Sequence, residues 1–429
     1  MSTDCSQPTD AITVAVLGSG PSGCYTAQSL RKKLPNAEIT IFEALPVPYG
    51  LLRYGVAPDH QGTKAVAAQF DRLFERSNIT FIGNTRVGSD IDFAAVADAF
   101  DVVVVATGLP SDKPLDVPRN PEANVLGAGR LLRALNSFPE EAVLWGAPPL
   151  IGSIGDDVIV VGQGNVAMDV TRLIVKSPAH LTGSDIDDRV LTSLRPRPPR
   201  SVRVVGRSPA QRAKFDLAML RELCALDSVD VAIEGLDDSV EGPVADVLRQ
   251  ATRDTVERAD SARTLVTFHF GAEPREIRYE DSHTVLDVMT SSGELDHLRA
   301  NVVITAIGFC ASTTEADGTV VGDWSGRHVY RAGWLEREGR GNIAENRKHA
   351  QEVAKKIVDD LTDGHIGPGG RPGLQSVLPR LTHPIVDFTG WQAIDAAERE
   401  SADDQRCRRK LTTLETMLAV AQEHTRKPL

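Results

Sequence analysis

The sequence lacks the residue patterns that mark several large classes of protein. Only five of its 429 residues are cysteine, and no two of them form a C-x-x-C pair. This spacing excludes a zinc finger, a cysteine-ligated iron–sulfur cluster of the usual kind and a redox dithiol. No apolar run approaches the ~20 residues that a membrane-spanning helix needs. We also find no evident Ser/His/Asp arrangement and no metal-ligating cluster.

A basic excess is lacking too. The chain has 47 Lys and Arg against 59 Asp and Glu, a net charge of −12. This balance argues against a general nucleic-acid binder. The first thirty residues contain no Lys or Arg, so neither a secretory signal nor an Arg-rich transit peptide is visible. We therefore expect a cytoplasmic protein with free thiols and no membrane span.

The first recognisable unit is a βαβ pattern near the start of the chain. Residues 12–17 are apolar and β-branched, which predicts a buried strand, and the G-x-G-x-x-G sequence of residues 18–23 follows them. A helix to about Lys33 and a second strand at 38–42 complete the unit. Such glycines permit a tight turn, close backbone approach and helix–strand packing, and the free N–H groups of the helix favour a pyrophosphate.

These positions give the first set of candidate binding residues. Glu43 lies 25 residues after Gly18, at the end of the second strand, where a carboxylate can accept hydrogen bonds from a ribose diol. The candidates in the turn itself are Gly18, Gly20, Pro21, Ser22 and Gly23.

A second unit of the same kind begins at residue 158. A strand at 158–161 precedes the variant G-x-G-x-x-A at 162–167, a helix to about Lys176 follows, and a later strand at 201–205 ends in Gly206-Arg207. A cation at this strand end suits a 2′-phosphate, so it favours NADP over NAD. The candidate residues of this site are Gln163, Gly164, Asn165, Val166, Arg207 and Ser208.

Each unit also has a matching late strand. Residues 101–108 read DVVVVATG and residues 301–308 read NVVITAIG, and we add Thr107 and Gly108 to the candidates. The paired pattern predicts an α/β fold with two Rossmann-like, three-layer ββα dinucleotide-binding domains, the second inserted into the first. We expect residues 11–109 plus 325–429 in one domain and 110–324 in the other. The alternative is that one motif is a packing remnant without a ligand.

Two dinucleotides in one chain imply hydride transfer between them. A disulfide substrate would require a cysteine pair, and none is present. Oxygen insertion of the Baeyer–Villiger type would require an F-x-G-x-x-x-H fingerprint, which we do not find. A one-electron protein carrier requires only a docking surface. It is therefore the acceptor that needs the fewest particular residues, and it is the one left after this elimination.

Residues 48–60, PYGLLRYGVAPDH, resemble the adrenodoxin reductase family of ferredoxin–NADP reductases, including its bacterial members. Further similar blocks follow in the family's order: 162–170, 220–223, 333–343 and 391–400. The resemblance covers residues 12–400. The small subunit of glutamate synthase has a related first block, but this chain lacks its cysteine-rich N-terminal region.

The resemblance implies FAD in the domain formed by 11–109 and 325–429, and NADPH in the domain 110–324. The residues it places around the adenosine and pyrophosphate of FAD are Ser22, Glu43, Leu51 and Val87. Near the isoalloxazine it places Trp334, Gly341 and Ile343, and we include the intervening Asn342. Gln163–Val166 would lie on the pyrophosphate of NADPH, with Gly341 near its nicotinamide. His60 and Glu222 correspond to a His–Glu pair beside the ring contact, and they are the candidate catalytic residues.

The chain departs from the family at two positions. The family has two arginines at the strand end, whereas this chain has Arg207 and then Ser208. Losing one charge-assisted contact costs ~1.5–3 kcal/mol, roughly ten- to hundredfold in binding. Met219 stands where the family often has glutamate. We expect NADPH with a weakened preference over NADH, and NADH stays an open alternative. Arg212 or Lys214 could compensate for the missing arginine.

The family function implies electron transfer to an acidic iron–sulfur ferredoxin, with a cytochrome P450 as a common end point. Because this chain is acidic as well, docking would need a local basic patch. The candidates are Arg249 and Arg253, which share a helix face, and the basic segment 195–214. The alternative interpretation of these arginines is a solvated helix face paired with Asp246, Asp254 and Glu257.

Alternative functions for the chain are a flavin-binding electron-transfer subunit of the amidotransferase type, a redox sensor with a degenerate nicotinamide site, and a flavin reductase acting on quinones or dyes.

Overall fold

The computed structural model of this protein describes residues 11–139, 152–257, 263–311, 321–367 and 369–426. Its first part contains the predicted βαβ unit. The elements up to the first crossing between halves are β1 (Thr13–Leu17), α1 (Pro21–Lys33), β2 (Glu38–Phe42), α2 (Leu51–Tyr54), α3 (Gln61–Lys64), α4 (Ala67–Arg76), β3 (Ile79–Ile82), α5 (Phe93–Ala99), β4 (Val102–Val105) and β5 (Ser111–Asp112).

The middle of the chain contains the second nucleotide-binding pattern. Its elements are β6 (Val125–Gly127), α6 (Ala128–Leu135), β7 (Asp157–Val161), α7 (Asn165–Val175), α8 (Asp188–Leu194), β8 (Ser201–Gly206), α9 (Leu217–Cys224), β9 (Val229–Glu234), α10 (Pro243–Glu257), β10 (Thr264–Phe270), β11 (Glu273–Glu280), β12 (His283–Met289), β13 (Leu295–Ala300), β14 (Val302–Thr305) and β15 (Phe309–Cys310). Short 3₁₀ turns lie at Pro178–Leu181 and Ala210–Arg212.

The last part of the chain is largely helical. It comprises β16 (Val329–Arg331), α11 (Trp334–Arg337), α12 (Ile343–Thr362), α13 (Leu374–Val377), α14 (Phe388–Glu400) and α15 (Leu414–Arg426), with 3₁₀ turns at Val321–Asp323 and Leu378–Arg380. None of the helices in the described ranges combines the length and the apolar character that crossing a bilayer requires.

Two parallel sheets organise these elements. The first has the strand order β16-β4-β1-β2-β3, and the second has the order β6-β14-β7-β8-β10-β9. The late strand β16 pairs with β4 in parallel register, Tyr330 opposite Val104. The chain therefore leaves the first sheet after β4, builds the second sheet and returns to the first. We call the elements built on the first sheet the first half of the molecule and those built on the second sheet the second half.

Successive side chains of the central strands point to opposite faces, so each sheet has a separate hydrophobic core on each face. Val14 and Val16 of β1 point into the core formed with α1 and α12, whereas Ala15 and Leu17 point into the opposite core. Because side chains alternate across a strand, a continuous apolar run of this kind fits a strand covered on both faces. The central strand β7 of the second sheet divides its side chains in the same way.

The third layer differs between the two halves. On the second sheet it is the antiparallel sheet β11-β12-β13, whose Leu286 and Leu298 pack on that sheet. On the first sheet, the described residues place helices in that position, with Val96 of α5 and Val377 of α13 in the core. The expected ββα layering is thus found in the second half, while in the first half a helix connects β3 to β4.

The chain passes between the two halves at two places, which contain the short strands β5 and β15. These two strands form an antiparallel pair in which Phe309 lies opposite Asp112 and Cys310 opposite Ser111. The carboxylate of Asp112 accepts hydrogen bonds from the backbone N–H groups of Gly129 and Arg130 at the start of α6, 2.6 and 2.9 Å away. The strand pair and these two hydrogen bonds hold both connecting segments against the start of α6.

Candidate functional site

One cleft collects residues that follow strands of both sheets. From the first half it includes the turn after β1 and the segments after β2 and β4, and from the second half the start of α7. The candidate residues that line it are Gly18, Gly20, Pro21, Ser22, Glu43, Leu51, Val87, Thr107, Gly108, Asn165, Val166, Trp334, Asn342 and Ile343. The candidates that do not line it are Gly23, His60, Gln163, Gly164, Arg207, Ser208, Glu222 and Gly341.

The first glycine turn is shaped by close backbone approach. Gly18 has a φ of +104°, and a Cβ there would lie 2.6 Å from the carbonyl oxygen of Ala106. A Cβ on Gly23 would lie 2.0 Å from the carbonyl oxygen of Gly18, so this glycine serves packing rather than binding. Above Gly20, in contrast, there is no atom within 4 Å of a Cβ position. The open space above Gly20 at the start of α1 fits a pyrophosphate.

Glu43 is held at the edge of this turn. One carboxylate oxygen accepts hydrogen bonds from the backbone N–H of Ser19 (3.0 Å) and from its hydroxyl (2.5 Å), and the other accepts from the N–H of Leu45 (3.1 Å). Burial raises the pKa of Glu43, and these hydrogen bonds offset only part of that effect. A ribose diol that donates to the carboxylate would stabilise its charged form further.

The isoalloxazine candidates surround a second stretch of the cleft. The indole N–H of Trp334 donates to the carbonyl of Gly341 (2.9 Å), and its ring stacks on Phe309 with centroids 5.4 Å apart. The side chain of Asn342 caps α12 by accepting from the N–H of Glu345 (3.0 Å). One turn later, the side-chain oxygen of the buried Asn346 has no partner among the described residues. An oxygen of this kind, lining the cleft, is free to accept from a bound cofactor.

The second glycine turn repeats the first. Gly162 has a φ of +141° and lies against the carbonyl of Ala306, whereas a Cβ on Gly164 would meet no atom within 4 Å. The side-chain oxygen of Gln163 is buried without a partner in the described ranges. These residues thus fit the phosphate groups of a second dinucleotide, as their spacing predicts.

The strand end after β8 provides unpaired positive charge. Within the described residues, the side chains of Arg207, Arg212 and Lys214 make no hydrogen bond or ion pair, and all three are exposed. The backbone of Lys214 turns back towards the glycines, because its N–H donates to the carbonyl of Gln163 at 2.7 Å. The expected cation at the end of the strand is therefore available to a ligand.

His60 and Glu222 belong to a larger ionic cluster. Its centre is Arg172, whose fully buried guanidinium donates to Asp59 (2.7 Å), to Glu222 (2.7 Å) and to Asp169 (3.0 Å). The second cation is Lys176, which lies 2.6 Å from both Asp59 and Glu222. The imidazole of His60 contacts the guanidinium at 2.7 Å and lies 3.4 Å from Asp169.

The cluster shifts the pKa of several of its members. The pKa of Glu222 is lowered well below its usual range, chiefly by His60, with Lys176 and Arg172 adding to the effect. Burial raises the pKa of Asp59, but the hydrogen bonds from Arg172 and Lys176 outweigh it and leave that pKa lowered. The pKa of Asp169 is raised, because its burial outweighs the neighbouring cations. Asp169 is the cluster member that lines the cleft.

The sequence contained a signal for these additional residues. Asp169 and Arg172 follow the second glycine turn three residues apart, which places them on one face of α7, and Lys176 follows directly after the last residue of that helix. Asp59 immediately precedes His60 in the 48–60 block. Charged residues on the inward face of a nucleotide-binding helix are unusual enough to indicate such a cluster.

The basic segment 195–214 is not one surface patch. Arg195 is 5% exposed and donates to the carbonyls of Leu173 (3.0 Å) and Lys176 (2.5 Å), so its assignment to a docking surface was wrong. Arg197 and Arg200 pair with carboxylates of their own chain, Asp156 and Asp157.

Known proteins resemble this chain in sequence and in fold. The family model described as pyridine nucleotide-disulphide oxidoreductase matches residues 12–211. Cindoxin reductase of Citrobacter braakii is 41% identical over 96% of this chain and 92% of its own length. The mitochondrial NADPH:adrenodoxin oxidoreductase of Arabidopsis thaliana is 29% identical over 95% of each chain. The solved structure of Mycobacterium tuberculosis FprA in complex with NADPH has a TM-score of 0.81, 30% identity and coverage of 96% and 100% of the two chains.

Proposed function

Because this chain belongs to the adrenodoxin reductase-like ferredoxin reductases, we propose that it transfers hydride from NADPH to bound FAD and then passes single electrons to an iron–sulfur ferredoxin. The supporting observation is the shared cleft. Residues of the first glycine turn and the start of α7 line the same space, so two bound dinucleotides could bring their rings together.

The chain's own groups suit FAD and a nicotinamide dinucleotide. Open space lies above Gly20 and Gly164, and unpartnered buried oxygens belong to Asn346 and Gln163. A bound flavin supplies the ability to accept two electrons as hydride and to release them singly. We propose that Glu43 holds the FAD ribose and Arg207 the 2′-phosphate.

His60 and Glu222 are proposed to act at the junction of the two sites. Neither lines the cleft, but Asp169 does, and His60 lies 3.4 Å from it. We infer that the pair orients Asp169 through Arg172. The other candidate residues of the cleft are proposed to contact the cofactors as the sequence predicts.

We also propose the domain division expected from the sequence, with residues 11–109 and 325–429 holding FAD and 110–324 holding NADPH. It is supported by the return of β16 to the first sheet and by the pairing of β5 with β15 at the crossings. A cytoplasmic location is likewise our proposal, supported by four described cysteines that form no disulfide. A cytochrome P450 as terminal acceptor stays a prediction, since no residue of this chain selects it.

The proposed function is tested by anaerobic titration of the FAD-loaded protein, following the visible absorption of the flavin. We expect bleaching by NADPH at lower concentration than by NADH. A protein that retains FAD but bleaches with neither nucleotide would favour the redox sensor. Equal bleaching by both would mean that the 2′-phosphate is not discriminated.

Docking of an acidic ferredoxin is proposed at one face of α10. Arg249 donates to the backbone carbonyls of Asp237 and Asp238 rather than to a carboxylate, and Arg253 donates to Gln250. Neither guanidinium therefore hydrogen-bonds to a carboxylate among the described residues, although the charge of Arg249 helps to lower the pKa of Asp237. Val256 on the next turn is 81% exposed, and an apolar contact bordered by cations suits a protein partner.

Charge reversal tests this surface. We expect the double variant Arg249→Glu and Arg253→Glu to raise the apparent KM for an acidic ferredoxin roughly tenfold at low ionic strength, because attraction becomes repulsion. Flavin reduction by NADPH should not change. Reversal of Arg197, which is already paired with Asp156, is the control. Equal loss in both half-reactions would contradict docking at α10.

A further inference from the structure

Lys214 occupies a specific position relative to the second glycine turn. Its N–H donates to the carbonyl of Gln163 at 2.7 Å, and its backbone forms a parallel bridge with Gly164. The next two residues fix this position. Phe215 is buried, and the backbone N–H of Asp216 donates to the side-chain oxygen of Asn165 at 2.7 Å.

The charge of Lys214 is not used within the protein. Its side chain has no ion pair or hydrogen bond among the described residues. The nearest carboxylate in sequence, Asp216, caps α9 by accepting from the N–H of Ala218 at 2.7 Å. By contrast, Arg197 and Arg200 in the same segment are neutralised by Asp156 and Asp157. Lys214 thus combines a fixed backbone with an unpaired ammonium, and an ammonium can bind a phosphate as a point charge.

The order along this segment assigns different parts of a dinucleotide to different cations. Arg207 follows the strand end, where the adenosine ribose lies in such folds. Lys214 lies at Gly164, the glycine with open space, where the backbone approaches the pyrophosphate. Met219, one turn into α9, already lines the cleft shared with the first half. The segment therefore runs from the adenosine end towards the nicotinamide end.

We propose that Lys214 binds the pyrophosphate of the nicotinamide dinucleotide, while Arg207 binds the 2′-phosphate. This inference rests on the proposed function, because it takes the second turn to be the nicotinamide dinucleotide site. The pyrophosphate is common to NADPH and NADH. Lys214 thus strengthens the binding of both nucleotides and restores affinity, but not selectivity, where Ser208 replaces an arginine.

The test uses calorimetric binding to the FAD-loaded protein, in which FAD blocks the first site. The two probes are ADP-ribose and 2′-phospho-ADP-ribose, which differ only in the 2′-phosphate. We expect Lys214→Met to weaken both probes equally, on the order of tenfold at low ionic strength, as for one charge-assisted contact. Arg207→Gln should weaken only the 2′-phosphorylated probe. Arg200→Gln, at the opposite end of β8, is the control and should change neither.

Each other result overturns a different statement. If Lys214→Met weakens only 2′-phospho-ADP-ribose, the lysine is a 2′-phosphate ligand and the assignment to the pyrophosphate is wrong. If it weakens neither probe while Arg207→Gln behaves as expected, Lys214 is a solvated side chain and the proposed function stands. If the unmodified holoprotein binds neither probe, the proposed function itself fails at this site.

Discussion

The two glycine turns share a backbone but differ in the charge around them. In both, the first glycine has a positive φ and lies against a carbonyl oxygen, while the second has open space above it. The strand beside the first turn is followed directly by Glu43, which is held by three hydrogen bonds. The strand beside the second is followed directly by Arg207, which has no partner in the described ranges. The shared geometry fits a dinucleotide, and the charge distinguishes which one.

The helices that follow the two turns differ as well. The inward face of α1 is apolar, with Cys24, Ala27 and Leu30 all fully buried. The corresponding face of α7 presents Asp169 and the buried Arg172 to a cluster of opposite charges. The inward face of the first helix therefore serves packing, whereas that of the second also connects the turn to residues of the other half, Asp59 and His60.

The largest expected effect comes from removing the centre of that cluster. Arg172→Met leaves Asp59 and Glu222 with Lys176 as their remaining lysine partner, and it leaves Asp169 beside His60. Because a buried ion network that loses one partner retains uncompensated charge, we expect a loss of about 3–5 kcal/mol in the free energy of unfolding. The midpoint of urea denaturation at neutral pH measures it.

The loss should also depend on pH. The lowered pKa values of Asp59 and Glu222 mean that their stabilisation is present above the unfolded values of about 4 and is lost as pH falls through the folded values. The difference between Arg172→Met and the unmodified protein should therefore shrink towards acid pH. Arg195→Met is the control, since this buried arginine contacts only carbonyls. An equal pH dependence for both variants would contradict the ionic explanation.

A smaller effect is expected when the third glycine of the first turn is replaced by alanine, the residue that the second turn has at this position. The second turn already has alanine there, Ala167, but a Cβ on Gly23 would lie 2.0 Å from a backbone oxygen. We expect Gly23→Ala to cost about 1–3 kcal/mol, as overpacking does, and to lower the FAD content of the purified protein. Thermal unfolding and the flavin absorbance measure the two effects.

Gly20→Ala separates packing from binding. Its φ is −64° and a Cβ there meets no protein atom within 4 Å, so the stability of the cofactor-free protein should not fall. FAD binding should still weaken, because the added methyl group enters the cleft. If Gly23→Ala and Gly20→Ala behave alike in the absence of FAD, the packing role assigned to Gly23 is wrong.

Much of this architecture follows from local sequence patterns. The strand at Glu38–Phe42 has the predicted bounds, and the predicted strand at 12–17 differs from β1 by one residue. Glycine turns fix backbone shape through neighbours a few residues away, so their pattern is visible in the chain. The residues alone favoured NADP at the second turn, and the family resemblance then indicated FAD at the first turn and a ferredoxin as the acceptor.

The remaining features depend on contacts between distant parts of the chain. Arg172 meets Asp59 across 113 residues, and Trp334 stacks on Phe309 from the second crossing. Arg195 looked like one more surface cation, but the end of α7 buries it. The helical layer on the first sheet was missed for the same reason, because layer composition is decided by packing and not by the local period of the sequence.

The smallest expected effect concerns the residue that makes the second strand end unlike the family. Ser208→Arg places a second guanidinium beside Arg207, and one added charge-assisted contact should improve the preference for NADPH over NADH about tenfold, or ~1.4 kcal/mol. The ratio of the two nucleotide concentrations that half-bleach the flavin measures it. Ser208→Ala, which adds no charge, should leave that ratio unchanged. Because Arg207 is exposed and unpaired, repulsion between the two arginines is relieved only when the 2′-phosphate is bound. An unchanged ratio in Ser208→Arg would therefore mean that the 2′-phosphate does not lie at this strand end, and the contrast with Glu43 would lose its meaning for cofactor choice.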